Sequence, residues 1–293
     1  MRAEPMRETM PIAVVTGAST GIGQATALAL ARGGFKVYAA MRNPGAAAPP
    51  AKADEDLAIT AIQMDVDSDA SVDGAFARVF ATEGRIDVLV NNAGIGLGGP
   101  VETTNLADFR QIMETNFFGL VRCAKAVIPS MREQRDGCIV NISSVAGRIA
   151  MAPQAAYSAS KWAVEAFSEC LAQEMAPFSV RVALVEPGVI ATPALTKNPP
   201  PVDDPRYPQR RRLRALFAAA LATPVPPSVV ADRICDIVAA DSPLLRHPTG
   251  PDAEPVIAWR RGHSDESWVA LGAASDEVFA AELERALGLN VTI

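Results

Sequence analysis

Two histidines are all that the 293-residue chain contains, His247 and His263, both late and without motif context. A nucleophilic triad built on an imidazole base would have to recruit one of them, and nothing around either prepares it for that role. Cysteines are few and scattered. Cys123, Cys138, Cys170 and Cys235 show no paired metal-ligand spacing, and each stands among apolar neighbours, so all four are expected as reduced core residues. No apolar run approaches the roughly 20 residues that cross a bilayer. The stretch from Met1 to Met10 is too polar for a secretory h-region, so a cytoplasmic protein without membrane insertion is the expectation. An excess of positive charge is missing too: the formal net charge is −6, whereas a surface that coats nucleic acid needs clustered Lys and Arg.

What the chain does have is apolar bulk, 49% of its residues, enough for a large core. "IAVVT" (12–16) is a short β-rich run without polar alternation, suited to a strand buried on both faces. "FKVYAA" (35–40), "AITAIQM" (58–64), "DVLVN" (87–91), "CIVNIS" (138–143) and "VRVALVE" (180–186) read as further strands. Helix-length segments lie between them, after "VVTGASTGIG" and near 68–83, 105–132 and 154–177. Alternation of this kind indicates right-handed βαβ units, hence an α/β fold with a doubly wound parallel sheet covered on both faces. Residues 1–10 are expected as a flexible tail and 11–293 as one domain.

After Pro187 the character changes. Residues 193–227 hold nine prolines around the helical "RRRLRALFAAALA". That excursion is long for a connection in a compact domain and is expected to be a lid, at about 193–222. A helix near 227–241, a strand near 244–247 and two amphipathic stretches, 252–261 and 275–287, finish the chain, with about 245–293 expected as a C-terminal extension.

Four motifs carry chemistry, and all fall where strands end. In "VVTGASTGIG" (14–23) a buried strand feeds Gly17, Gly21 and Gly23 into a helix. Such a turn lets backbone approach a pyrophosphate, and the helix N-terminus offers free N–H groups and a positive dipole end. "NNAG" (91–94) ends a second strand and "NISSVAG" (141–147) a third. "YSASK" (157–161) then places Tyr157 and Lys161 four residues apart, on one helix face, with only small residues between them.

With these motifs in this order, residues 11–193 resemble the short-chain dehydrogenases/reductases. "FKVYAAMRN", "ETNFFG", "VEPGVIATP" and "RHPTGPDA" are most similar to the 17β-hydroxysteroid and retinol dehydrogenase branch. The resemblance implies a Rossmann-type fold and transfer of hydride between a nicotinamide and a carbinol carbon, without metal. Tyr157 would be the general acid/base. Lys161 would favour its phenolate, whose ordinary pKa is about 10, and would hold the nicotinamide ribose. Ser143 and Ser144 both stand before the "VAG" turn; the resemblance selects Ser144 to polarise the carbonyl, leaving Ser143 to satisfy backbone groups at the strand end. Asn116, in "ETNFFG", would hold a water leading to Lys161.

For the cofactor, the resemblance implies contacts from Gly17, Ser19, Thr20, Gly21, Ile22 and Gly23, from Asp65 and Val66 beside the adenine, and from Asn92, Ala93 and Gly94. Pro187, Gly188, Val189, Ile190 and Thr192 would meet the carboxamide, while Asn91 braces the sheet. Relatives that use NAD carry a carboxylate at the end of the second strand. Met41 and Arg42 stand there instead, and a guanidinium pairs with a 2′-phosphate, so NADP(H) is expected over NAD(H).

The substrate would be a small hydrophobic alcohol or ketone, lined by Ile95, Leu97, Val145, Met151, Val189, Leu195 and Phe217, with the enzyme a homodimer or homotetramer. Two rival readings are a 3-oxoacyl-carrier reductase, whose acidic carrier would meet Arg210, Arg211, Arg212 and Arg214, and a non-catalytic NADP-sensing regulator. More simply, the arginine run is the solvated face of a helix. Trp259 and Trp268 are expected in the core or at a subunit contact.

Overall fold

The computed structural model describes residues 10–46, 54, 56–96, 98–193, 195, 204–240 and 244–293. Seven parallel strands form one sheet in the order β3-β2-β1-β4-β5-β6-β7. The strands are β1 (Ile12–Thr16), β2 (Lys36–Met41), β3 (Ile59–Gln63), β4 (Val88–Asn91), β5 (Gly137–Ile142), β6 (Val180–Pro187) and β7 (Arg246–Thr249). Central strands β1, β4 and β5 are buried along their whole length, as their unbroken apolar runs require. The edge strand β3 exposes Thr60, Ala61 and Gln63.

Alternate residues of each strand feed two cores. Val14, Leu89, Ile139 and Val182 face one side, where α2 (Asp69–Glu83), α4 (Gly119–Gln134) and α5 (Ala155–Met175) cover them. Val15, Val90, Val140 and Val185 face the other, under α1 (Gly21–Arg32) and a later helix, α7 (Ser228–Ala239). The strand order reverses direction between β1 and β4, so their carboxyl ends flank a crevice, the usual ligand position in such sheets.

One long helix expected over 105–132 is three pieces: α3 (Leu106–Met113), a π-helical turn (Glu114–Phe118) and α4. The wide turn has a local cause. Asn116 is turned inward to bond the backbone of Ile95, and a Cβ on Gly119 would lie 2.8 Å from Val66, so helix and strand exit meet closely here. π-turns of this kind gather at functional sites.

The segment expected as a lid supplies α6 (Gln209–Leu221), followed after β7 by α8 (Ala253–Arg261), α9 (Asp265–Ala270) and α10 (Asp276–Leu287). Helix α9 was not foreseen, and β7 lies two residues later than expected. These helices build a separate apolar cluster from Leu216, Trp259, Phe279 and Leu283, with Met151, Phe217 and Trp268 packed against it. The core expectation thus holds for Trp259.

The arginine run is a solvated face only in part: Arg211 and Arg214 are exposed and Arg210 is half-buried. Arg212 is buried (4% exposed); its Nε lies 2.7 Å from Asp276 Oδ1, and further N–H groups donate to the carbonyls of Leu271 and Ala274. Arg211 also binds Asp276. The cysteines divide as well. Cys123 and Cys138 are buried, Cys235 is half-buried and Cys170 is exposed, because Cys170 falls on the outer face of α5. No helix among the described residues is long and apolar enough to cross a membrane.

Candidate active site

The turn after β1 is shaped by close approach. Gly17 has φ +65°, and a Cβ on it would lie 2.8 Å from Ala93 Cα; on Gly23 it would strike the Gly17 carbonyl. Thr16 Oγ1 accepts the N–H groups of Asn92 and Ala93, each at 3.0 Å, and Asn92 Nδ2 donates to the carbonyls of Thr16 and Gly17. The first and second glycine-bearing motifs are therefore one rigid unit. Thr20 caps α1 without a side-chain hydrogen bond, and the first turn holds no acidic residue. Its N–H groups thus take no acceptor from a cap, the arrangement that receives a phosphate. Ser19 and Ile22 are half-buried on this turn, with Thr20 exposed, and Thr192 packs 3.4 Å from where a Gly21 Cβ would stand.

Met41 ends β2 in the core at 6% exposure. Arg42 follows it, exposed. Asp65 accepts the N–H of Asp67 through its Oδ1, so part of its carboxylate serves its own loop, while Val66 is buried beside Gly119. Asn91 donates to Asn141 across β4 and β5 at 2.9 Å, the bracing expected of it.

Around Tyr157 the sequence motifs converge. Ser144 ends the β5 segment and caps a 3₁₀ turn (Val145–Gly147), accepting from Ala146 N at 3.1 Å and donating to the Pro187 carbonyl at 3.4 Å. The Ser144 side chain also stands near enough to the Tyr157 phenol to favour its ionised form. Lys161 is buried, one helical turn on, with Nζ donating to the Ile142 carbonyl at 2.8 Å and lying 5.8 Å from the Tyr157 ring centroid. Asn116 Nδ2 donates to Ser160 Oγ at 3.0 Å, and Ser160 donates to the Tyr157 carbonyl. The π-turn thereby holds the helix that presents both residues. Gly147 is needed for the same reason: a Cβ there would lie 2.7 Å from Ser143 Oγ and 3.1 Å from the Lys161 carbonyl.

Two expectations need correction. Burial raises the Tyr157 pKa, and the neighbouring Ser144 side chain only opposes this, so the protein by itself keeps the phenol protonated. Burial likewise lowers Lys161 to about 8, against the pull of Glu165; its ammonium has no hydrogen bond to the phenol to make it a phenolate. Ser143 Oγ, expected to satisfy backbone groups, is buried with no hydrogen bond among the described residues, because the Gly147 turn packs over it.

Of the pocket candidates, Met151 and Phe217 come together in the apolar cluster. A cavity of about 210 Å³ opens beside Met151, lined also by Trp259, Trp268, Phe279, Gln209 and Arg212, and neither Ser144 nor Tyr157 lines it. Ile95, Val145, Val189 and Leu195 are half-buried, and Leu97 lies outside the described residues. Sequence reasoning missed Asp252. Its Oδ2 accepts the Val189 N–H at 2.8 Å, and a side chain on Gly188 would collide with its carboxylate. Asp252 in this way fixes the segment that leaves β6. Trp268, which donates to the Ala150 carbonyl at 2.9 Å, secures the loop between Ser144 and Tyr157; nothing local in either sequence neighbourhood announces these long-range contacts.

A sequence model described as short chain dehydrogenase matches residues 11–202. The chain is 43% identical over 178 residues to the 3-ketodihydrosphingosine reductase of Bacteroides thetaiotaomicron, a match spanning 60% of this chain and 63% of that one. It is 36% identical over 261 residues to retinol dehydrogenase 8 of Bos taurus, spanning 84% and 83%. Its fold is similar to that of a short-chain dehydrogenase from Streptomyces avermitilis, with TM-score 0.78, 32% identity and 95% and 97% of the two chains covered. A metagenomic short-chain oxidoreductase solved in complex with NADP matches with TM-score 0.64 and 29% identity over 80% and 95% of the chains.

Proposed function

The chain belongs to the short-chain dehydrogenase family, oxidoreductases acting on CH–OH donors, and from that premise we propose that it interconverts a hydrophobic secondary alcohol and its ketone with NADP(H). The observation that carries this reading is Lys161 Nζ, 5.8 Å from the Tyr157 ring centroid and tied to the Ile142 carbonyl just before Ser144, set beside an uncapped helix N-terminus at the carboxyl edge of the sheet.

The residues fit a nicotinamide dinucleotide. The glycine turn and the first turn of α1 would take the pyrophosphate, Arg42 the 2′-phosphate, and Pro187–Thr192 the carboxamide. When bound, the nicotinamide supplies or accepts hydride at C4. The protein's part is proton movement and charge. Tyr157, held protonated by burial, gives its proton to the carbonyl oxygen during reduction. Ser144 donates a hydrogen bond to that same oxygen and stabilises the charge that develops there. Lys161 contributes positive charge one turn from the phenol, and Asn116 keeps α5 in place through Ser160. The names of two relatives, which refer to long apolar molecules, favour a lipid-like substrate. The same reading takes residues 11–293 as one catalytic domain in a cytoplasmic homodimer or dimer of dimers. An acyl-carrier partner loses support, because Arg211 and Arg212 are committed to Asp276.

The test is NADPH consumption with a panel of apolar ketones by wild type and Tyr157→Phe. The variant is expected to turn over at least about 10²-fold more slowly, the usual size of an acid/base contribution, while binding NADPH as wild type does. Equal rates in the two proteins would overturn the mechanism.

A further inference from the structure

Behind the Ser144–Tyr157 pair runs an array of charges that the transfer chemistry does not use. Arg148 Nη1 lies 2.8 Å from Glu186 Oε1, and Glu186 has no exposed surface. Arg246 Nε lies 2.9 Å from Glu165 Oε2 and 3.9 Å from the same Glu186 oxygen, while its Nη2 reaches Glu169 at 2.6 Å. Three segments that bear reacting or cofactor-facing groups each contribute one member. Arg148 directly follows the turn that Ser144 caps. Glu186 directly precedes Pro187, whose carbonyl accepts from Ser144. Glu165 stands one turn after Lys161, with its Cγ pressed against the Gly147 turn.

Stability is a poor reason for such an array. Buried ion pairs recover their desolvation cost only with full hydrogen bonding, and apolar residues of similar volume hold a fold as well or better. Here Glu165 Oε1 and Glu186 Oε2 are buried without a hydrogen bond among the described residues, and burial raises the Glu186 pKa against the pull of Arg148. What directed charge pairs do supply is fixed geometry.

We propose that Glu186 is a positioning residue of the transfer site: through Arg148 and Arg246 it sets the Ser144 turn and the Tyr157–Lys161 helix in register with the strand exit at Pro187–Ile190. The proposal rests on the reading of Ser144, Tyr157 and Lys161 as the reacting group set. Its test uses Glu186→Gln, Arg148→Lys and the double variant Arg148→Met/Glu186→Gln, with kcat and KM for a ketone, melting temperature, and amide exchange at residues 143–149 and 187–190.

Glu186→Gln lowers kcat roughly ten- to a hundredfold with KM little changed, the scale on which a displacement of about 1 Å acts. Arg148→Lys keeps the charge, loses the planar fork and falls between this and wild type. In the double variant neither Arg148 nor Glu186 is left as an uncompensated charge, so the melting temperature returns toward wild type while kcat stays low and exchange stays fast. Recovery of kcat together with melting temperature would mean that the array only supports the fold, and unchanged exchange in Glu186→Gln would also overturn the proposal. Should Glu186→Gln not fold, the other two variants carry the same comparison. A wild type that reduces no ketone defeats the reading of the reaction, and the exchange data still decide the positioning role.

Discussion

Arg42 makes no hydrogen bond or ion pair among the described residues, and the buried Met41 beside it offers no acceptor for a ribose hydroxyl pair. A charge-assisted hydrogen bond to a 2′-phosphate is worth roughly 1.5–3 kcal/mol, which is a preference for NADPH of about ten- to a hundredfold. Met41→Asp with Arg42→Ala is expected to reverse it, measured as kcat/KM with both cofactors; a wild type that uses NADH equally well would remove Arg42 from the site.

Lys161 gives a second residue-scale expectation. Its folded pKa of about 8 lies below the ordinary value near 10.4. The buried ammonium therefore costs stability in full below about pH 8, and the cost fades as pH rises toward 10.4. At neutral pH the difference is on the order of 3 kcal/mol. Lys161→Met should melt higher than wild type at pH 7, lose that advantage by about pH 10, and turn over poorly throughout. At this scale the sequence was most legible: Lys161 lies beside the Tyr157 ring, and Asn116 reaches the same helix through Ser160. The protonation of the phenol was not, because desolvation depends on what surrounds the ring and spacing along a helix says nothing of it.

Among the elements, the central strands were readable because burial on both faces demands unbroken apolar runs, and such runs end at polar or glycine residues. The helix over 105–132 misled for the opposite reason. Nothing in "ETNFFG" distinguishes a π-turn from an α-turn until Asn116 has Ile95 to bind. The arginine run misled because its partner, Asp276, lies 64 residues beyond Arg212. That contact makes a prediction. Arg212→Met leaves a half-buried Asp276 without its main partner and should destabilise the docking of α6 against α9 and α10. The expected cost is on the order of 2 kcal/mol, below the 3–5 kcal/mol of a fully buried pair because Asp276 keeps some solvent. Amide exchange in residues 209–221 and 265–287 should quicken while residues 12–16 stay protected; no change in either region would mean that the apolar cluster alone holds the extension.

For the molecule as a whole, the exposed apolar residues include Phe118 (46%) and Trp162 (51%), at the start of α4 and on α5. Pairing of these two helices with their copies in a homodimer would cover both residues about a twofold axis. Light scattering at micromolar concentration is expected to give twice or four times the 30.8 kDa chain mass, and Trp162→Asp to lower it; a wild-type mass of one chain would contradict the arrangement. The sheet order itself was only partly legible. Alternation implied parallel strands and a crevice, but which strands flank it follows from pairings between distant segments, such as Ala13 with Val88.

That distant pairing also sets a clock. Ile12 N–H is satisfied by the Asp87 carboxylate, 75 residues later, and β1 cannot be flanked on both sides until β4 exists. At a synthesis rate of about 5–20 residues per second, the glycine turn waits roughly 4–15 s on the ribosome before its wall forms. During that interval the first βαβ unit keeps an open strand edge at β1, because the strand that pairs with it there has not yet been made.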